Sequence, residues 1–405
     1  MTSGPINPLA ITDYTLTTAL GVGLERNWSQ LSAGKGGLRP CTFAGIDDLE
    51  TWVGEIDGLD ALDFPREQQS YDCRNNRLAL LGLGQDGFTG AVSAAAARYG
   101  AERVAVFIGT STSGIHETEL AYRSLAPDNS GLERLPADYC YEGSHNTYSV
   151  AEFVRRTLGL RGPCSAVSTA CSSSAKVFAC AHRAIAAGFC DAAVVGGVDT
   201  LCLTTLYGFH SLQLVASDIC RPSDSGREGL SIGEAAGFAL VERGDATPRG
   251  MRLLGYGESS DAFHMSSPHP EGDGAVIAMK TALERSGLSF GSIDYINLHG
   301  TGTRGNDTVE AAAVCRIFPA DTPCSSTKGF TGHTLGAAGI VEAVFALQCI
   351  EHDFMPETLN TRRVDPDIRA CVLLQSRSGA VSRVLSNSFG FGGSNCSLVL
   401  SGSDA

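Results

Sequence analysis

Short apolar runs of β type alternate with helical patterns along almost the whole chain, and this alternation restricts the fold more than any other feature. RVAVFIGTS, DAAVVGGVD and GFALVE mark it in the first part, and IDYINLHG, CVLLQS and CSLVLSG in the second. Strands alternating with helices imply βαβ units and parallel sheets, so the expected class is α/β. At 405 residues the chain exceeds the roughly 250–300 at which a single core stops growing, so two domains or a doubled unit are expected. The polar turn ERGDATPRGM, Glu242 to Met251, is the best boundary, between an N-terminal half at 1–245 and a C-terminal half at 251–405. The repetition is architectural, for the halves show no strong sequence self-match.

Composition narrows the setting. Apolar residues at 43%, charged residues at only 18% and 48 glycines suit a tightly packed α/β enzyme. The opening MTSGPINPLAITDY has no basic stretch before an apolar run, and no segment approaches 18 uninterrupted apolar residues, so a cytoplasmic protein without membrane insertion is expected. Fourteen scattered cysteines read as reduced thiols, and none has zinc spacing, so no metal is expected. The balance of 30 basic against 44 acidic residues, net -14, argues against nucleic-acid binding, which rests on neutralising phosphates.

The stretch VSTACSSSAKVFACAHRAIAAG, Val167 to Gly188, places Cys171 just before a helical pattern. Phe178, Ala179, His182, Ile185 and Ala186 recur at helical spacing, and Gly188 is a plausible stop. Unpaired N–H groups at a helix start favour negative charge, which predicts a lowered thiol pKa. A buried, inert cysteine satisfies the same pattern.

A cysteine nucleophile needs a companion group, and the nine histidines are the candidates. His116, His145, His182, His210 and His352 lack catalytic company, while His264 and His269 fall in a loop, SSDAFHMSSPHP, and stay open. His299 ends the apolar run YINL and begins HGTGTRGND, at the carboxyl end of a strand, where open α/β sheets hold ligands. His333 lies in SSTKGFTGHTLGAAGIVEAVFAL, with Lys328 five residues before it and Glu342 on the following helix. A solvated charge is the plain reading of Lys328 or Glu342 alone. In SNSFGFGGSN, Gly390, Gly392 and Gly393 are expected at φ above zero, leaving Phe391 on a mobile loop with its N–H free to meet a ligand.

At these residues the chain resembles the β-ketoacyl-acyl carrier protein synthases, the type II condensing enzymes of fatty acid and polyketide synthesis. The resemblance runs from about ITDYTLTTALG to the last strand and is densest from Pro163 to Ser174, in RPSDSGREGLSIGEAAG, and from His299 through Asn395. It implies the thiolase-like five-layered α-β-α-β-α fold built from two similar halves, and no cofactor. Cys171 matches the acyl-accepting nucleophile. His299 and His333 match the histidines that hold the malonyl thioester, Lys328 the lysine that orients the site, and Glu342 the acid behind it. The N–H groups of Cys171 and Phe391 match the oxyanion hole, with Phe391 also the gate, and Thr301 and Thr303 match hydroxyls on the phosphopantetheine arm.

The implied reaction is decarboxylative condensation of an acyl group on Cys171 with malonyl-acyl carrier protein, in fatty acid or specialised lipid, polyene or polyketide synthesis. The implied partner is the acyl carrier protein, and the implied assembly a homodimer or a heterodimer with a related subunit. Arg66, Arg74 and Arg77 are candidates for docking an acidic carrier. LAITDYTLTTALG, KGF and TSTSG, Thr110 to Gly114, depart from the common pattern and leave the acyl chain open. A thiolase would need a second catalytic cysteine, and Cys396 instead begins the strand CSLVLS. A non-catalytic chain-length partner subunit is the other alternative, and such partners lack the nucleophile.

Overall fold

Strands that are apolar on both sides need cover on both sides, and the computed structural model, which describes residues 4–46, 48–244 and 250–402, supplies it in layers. In the first half β1 (Leu9–Thr18), β2 (Val104–Gly109), β3 (Cys164–Val167), β4 (Ala192–Asp199) and β5 (Ala235–Arg243) are ordered β1-β5-β4-β2-β3. β5 is antiparallel to both neighbours, while β4, β2 and β3 are parallel. The second half contributes β6 (Met251–Ser260), β7 (Tyr295–Asn297), β8 (Pro323–Ser325), β9 (Cys371–Val372), β10 (Arg383–Gly390) and β11 (Ser394–Ser401). Their order is β6-β11-β10-β7-β8-β9, and the first five repeat the orientations of the first half. A short antiparallel seam between Leu9–Ile11 and Met251–Leu253 joins the two. Arg243 closes β5 and Met251 opens β6, while 245–249 of the turn between them lie outside the described residues.

The side-chain alternation of each strand assigns its two faces. In β2, Val104, Val106 and Ile108 face an outer cluster, and Ala105 and Phe107 face a central one. The outer cluster is covered by α1 (Arg74–Leu83), α2 (Phe88–Tyr99) and α3 (Ser149–Thr157). On the far side, α6 (Asp273–Ser286) and α7 (Arg304–Cys315) pack Met279, Leu283 and Val314 against Ile296, Leu385 and Val399. Between the sheets lie α4 (Ser173–Ala186) and α8 (Ala338–Glu351), whose Phe178, Ile340 and Phe345 share one core with strands of both halves. The result is the expected thiolase-like α-β-α-β-α order. From Ala338 to Ile350 every residue of α8 is buried, which explains why GIVEAVFAL has no polar stripe.

Close packing fixes where α4 begins. A Cβ on Gly109 would lie 2.4 Å from the Ser174 nitrogen, one on Gly197 2.6 Å from the Ser174 Cβ, and one on Gly339 2.3 Å from the Ala175 nitrogen. Only glycine admits this approach, and it brings the residues just before α4 to the carboxyl ends of the parallel strands.

Candidate active site

β3 ends at Val167, α4 begins at Ser173, and Cys171 sits in the connection. Ala170 before it adopts φ 53, an uncommon conformation for a residue with a side chain. Ser173 Oγ reaches Ala170 O at 2.5 Å and accepts the Thr169 N–H at 2.8 Å, which closes the turn. Cys171 is buried, and His333 Nε2 lies 3.0 Å from its Sγ.

The two histidines come from separate connections that meet at this sulfur. His299 follows β7 directly, and His333 lies between the turn Lys328–Thr331 and the turn Leu335–Ala337. Their rings stand edge to face, centroids 5.3 Å apart. The Leu335 N–H donates to His333 Nδ1 at 3.2 Å, and the Lys328 ammonium faces His299 Nδ1 at 3.3 Å. Each Nδ1 therefore accepts, so each neutral ring carries its proton on Nε2. Burial first, and the Lys328 charge second, hold His299 well below the usual imidazole range, and the same causes act on His333. Lys328 also bonds the His299 carbonyl and is ion-paired with Glu342 from α8.

Cys171, His299 and His333 line a cavity of about 460 Å³ that also includes Thr301, Thr303 and Phe391. The Thr301 and Thr303 hydroxyls lie 2.8 Å apart, and the Thr303 hydroxyl also caps α7 by accepting the Asn306 N–H. Phe391 faces Phe209 of α5 (Leu203–Ser211), ring centroids 5.3 Å apart. The turn after it is tied to the mouth: Gly392 N–H donates to Met265 O at 2.8 Å, and Asp261 N–H to Gly393 O at 2.9 Å. His264 and His269 belong to that mouth segment, and neither lines the cavity.

Known proteins are similar to the chain in sequence and in fold. The models for the beta-ketoacyl synthase N-terminal and C-terminal domains match residues 83–246 and 251–362. The chain belongs to the β-ketoacyl synthase family. It is 32% identical to the 3-oxoacyl-[acyl-carrier-protein] synthase 2 of Rhizobium meliloti over 97% of this chain and 98% of that protein. Against the mitochondrial synthase of Arabidopsis thaliana identity is 32%, over 96% and 92%. A chain in the structure of the ketosynthase ApeO with its chain length factor ApeC, from Xenorhabdus doucetiae, superposes with TM-score 0.87 at 38% identity over 98% of both chains. A β-ketoacyl synthase from Burkholderia phymatum gives 0.85 at 26% identity, over 98% of this chain and all of that one. The chain is thus a 3-oxoacyl-carrier-protein synthase-type enzyme with a Cys171–His299–His333 triad.

Several expectations change on this synthase scaffold. The helix start does not leave Cys171 with a low pKa: burial pushes the thiol up to about 11. The Lys328 charge and the N–H groups of Phe391 and Cys171 pull it down without offsetting burial. Gly392 and Gly393 have φ 78 and 74, but Gly390 is extended at φ -101. Its lack of a side chain serves close approach instead, since a Cβ there would meet Thr169 O at 2.8 Å. Arg74 and Arg77 are not free to dock a carrier. Arg74 is buried and ion-paired with Glu234 at 2.7 Å, and Arg77 is spent on Asp72 and on the carbonyls of Leu59, Asp60 and Leu62. Arg66 is exposed.

Sequence reasoning missed the buried acids of α7. Glu310 accepts the His299 and Gly300 N–H groups, each at 2.8 Å, and Asp307 accepts those of Ser223 and Gly302. They hold the HGTGT turn and the RPSDSG segment together. Three acidic or amide residues among the first seven of α7, Asn306, Asp307 and Glu310, were the available signal. The Cys171, His299 and His333 donor atoms lie within 4.8 Å of one another, a spacing that a metal could use. Metal-bound histidines, however, donate from the other ring nitrogen, whereas here that nitrogen accepts and Nε2 holds the proton.

Proposed function

We propose that the chain condenses an acyl group carried on Cys171 with malonyl-acyl carrier protein, releasing CO2 and giving β-ketoacyl-acyl carrier protein. The observation that carries this reading is the pair of Nε2–H donors of His299 and His333, fixed by their Nδ1 partners at a cavity where Cys171 Sγ lies 3.0 Å from one of them. Cys171 attacks the acyl-carrier thioester, and its proton leaves with the carrier thiol. The N–H groups of Phe391 and Cys171 receive the transient oxyanion. Malonyl thioester then places its carbonyl oxygen between the two histidines, which stabilise the enolate left when CO2 departs. The carbanion attacks the Cys171 thioester, and the released sulfur regains a proton.

Lys328 orients His299 and Glu342 balances its charge, while Thr301 and Thr303 meet the pantetheine arm and Phe391 gates the acyl chain. The likeness to a chain of the ApeO–ApeC structure supports a catalytic chain that works beside a related subunit, in fatty acid or specialised lipid, polyene or polyketide synthesis. A homodimer is the alternative assembly, and the division into 1–245 and 251–405 follows the matched synthase halves. The proposed place of work is the cytoplasm; no helix among the described residues is long and apolar enough to cross a membrane.

Intact mass of wild type and Cys171→Ala after incubation with acyl-carrier thioesters, then malonyl-carrier protein, tests the reading. A mass gain confined to wild type and discharged as ketoacyl product is expected. Acylation that survives Cys171→Ala, or none across the panel, would move the assignment to the non-catalytic partner subunit.

A further inference from the structure

Asp199 closes β4 and is completely buried, yet the chemistry above does not use it. Its carboxylate is surrounded by donors from the TSTSG turn that follows β2. The Thr110 and Thr112 hydroxyls reach it at 2.7 Å each, the Ser111 N–H at 2.9 Å and the Thr112 N–H at 2.8 Å. A turn that gathers two hydroxyls and two backbone N–H groups around one anion has a single low-energy shape.

That turn touches both partners of the nucleophilic pair. On one side, Ser111 Oγ lies 3.4 Å from Ala170 O, the carbonyl of the positive-φ residue before Cys171. On the other, Gly336 rests directly on the turn. A Cβ at Gly336 would lie 2.7 Å from Asp199 Oδ2, 2.7 Å from Ser111 Oγ and 2.8 Å from the Ser111 nitrogen. Gly336 follows Leu335, whose N–H holds His333 Nδ1. Two connections from different halves of the chain thus share one buttress, and His333 Nε2 and Cys171 Sγ meet across it.

We propose that Asp199 is a positioning residue of the condensing site, whose buried carboxylate shapes the 110–112 turn and thereby sets the separation of Cys171 and His333. The inference rests on the condensing role given above to those two residues. Asp199 touches neither substrate nor sulfur, and its effect passes through Ser111 and Gly336. TSTSG, which the reaction itself left without a role, gains one: both threonine hydroxyls are spent on the carboxylate.

The test compares wild type with Asp199→Asn, which removes one acceptor face, and Gly336→Ala, which removes no hydrogen bond but pushes the 335–337 turn off its buttress. Condensation kcat is expected to fall about tenfold to a hundredfold in each, with KM within about twofold, because the pair is misplaced rather than the substrate site. Alkylation of Cys171 by iodoacetamide at pH 8 should slow about tenfold as the His333 donor is lost from the sulfur. In a His333→Ala background, Asp199→Asn should slow alkylation by less than about twofold further, since no pairing remains to be set. A purely structural role predicts losses that multiply in that background, and this outcome overturns the inference. So do unchanged kcat and alkylation in Asp199→Asn and Gly336→Ala when wild type is acylated on Cys171. Should Asp199→Asn fail to fold, Gly336→Ala decides alone. Wild type that takes no acyl group at Cys171 overturns the condensing reading itself, which is a separate result.

Discussion

A thiol enclosed by protein is a poor acid even beside a lysine, and Cys171 shows which influence is larger. Burial outweighs the Lys328 charge and two N–H groups, so the resting group is a thiol with its pKa pushed up to about 11. Only the thiolate reacts with iodoacetamide, and below the pKa its fraction rises tenfold per pH unit. The alkylation rate of wild type should therefore climb about tenfold per unit between pH 8 and pH 10 without levelling. That range lies above the titration of Glu310 and Glu342, both pushed up to about 7 by burial. A plateau reached below pH 9 would show a thiol that ionises well below 11 and remove burial as the controlling influence. The nucleophile and both histidines were legible because each stands where a strand or glycine turn meets a helix. The thiol's acidity was not, since a helix start and complete burial act in opposite directions and only the folded chain shows how deep the sulfur lies. Glu310 and Asp199 escaped for a related reason: a carboxylate in a helix or at a strand end looks the same in sequence whether solvated or buried.

Glycines set the contacts between elements, and they do not all matter equally. Gly339 lets α8 lie against the start of α4, where a Cβ would come within 2.3 Å of the Ala175 nitrogen. Gly339→Ala must push these central helices apart, at a cost of about 1–3 kcal/mol by the overpacking of a dense core. Condensation should fall with it, because the same contact places Cys171. Gly208 sits inside α5 with nothing within 4 Å of a Cβ, so Gly208→Ala should raise stability by up to about 1 kcal/mol through helix propensity. Urea unfolding of both variants checks the pair, and equal effects would mean that the close approach of α8 to α4 is not tightly packed. β2, β4 and β5 were readable because they are buried on both faces almost throughout and therefore read as apolar runs. CVLLQS was only partly right: Cys371–Val372 pairs with β8, and Leu373 continues only as a single bond to Cys324 O. β8, with Pro323, Cys324 and Ser325, carries too little pattern to be seen, and the seam between β1 and β6 leaves no local mark.

At the scale of the molecule, the two halves repeat an architecture without being separable units. The central core takes Leu16, Phe107, Phe178 and Val195 from the first half and Tyr295, Ile340, Phe345 and Leu398 from the second. Either half alone would expose its side of that layer, an apolar surface no soluble monomer keeps open. Trp28 stacks on His352 across the division, ring centroids 4.1 Å apart, so in a Trp52→Phe variant, which leaves Trp28 as the one tryptophan, fluorescence follows the joint, whereas far-UV circular dichroism follows the helices of both halves. Unfolding in urea should give coincident curves by the two probes, the mark of one cooperative transition. A fluorescence change completed before the dichroism has moved through most of its amplitude would mean that the joint opens while the halves persist, and 1–245 and 251–405 would then be domains in the thermodynamic sense. The shared layer argues for the single transition, because α4 and α8 are buried by strands of both sheets and neither helix can keep its cover once the other half is gone.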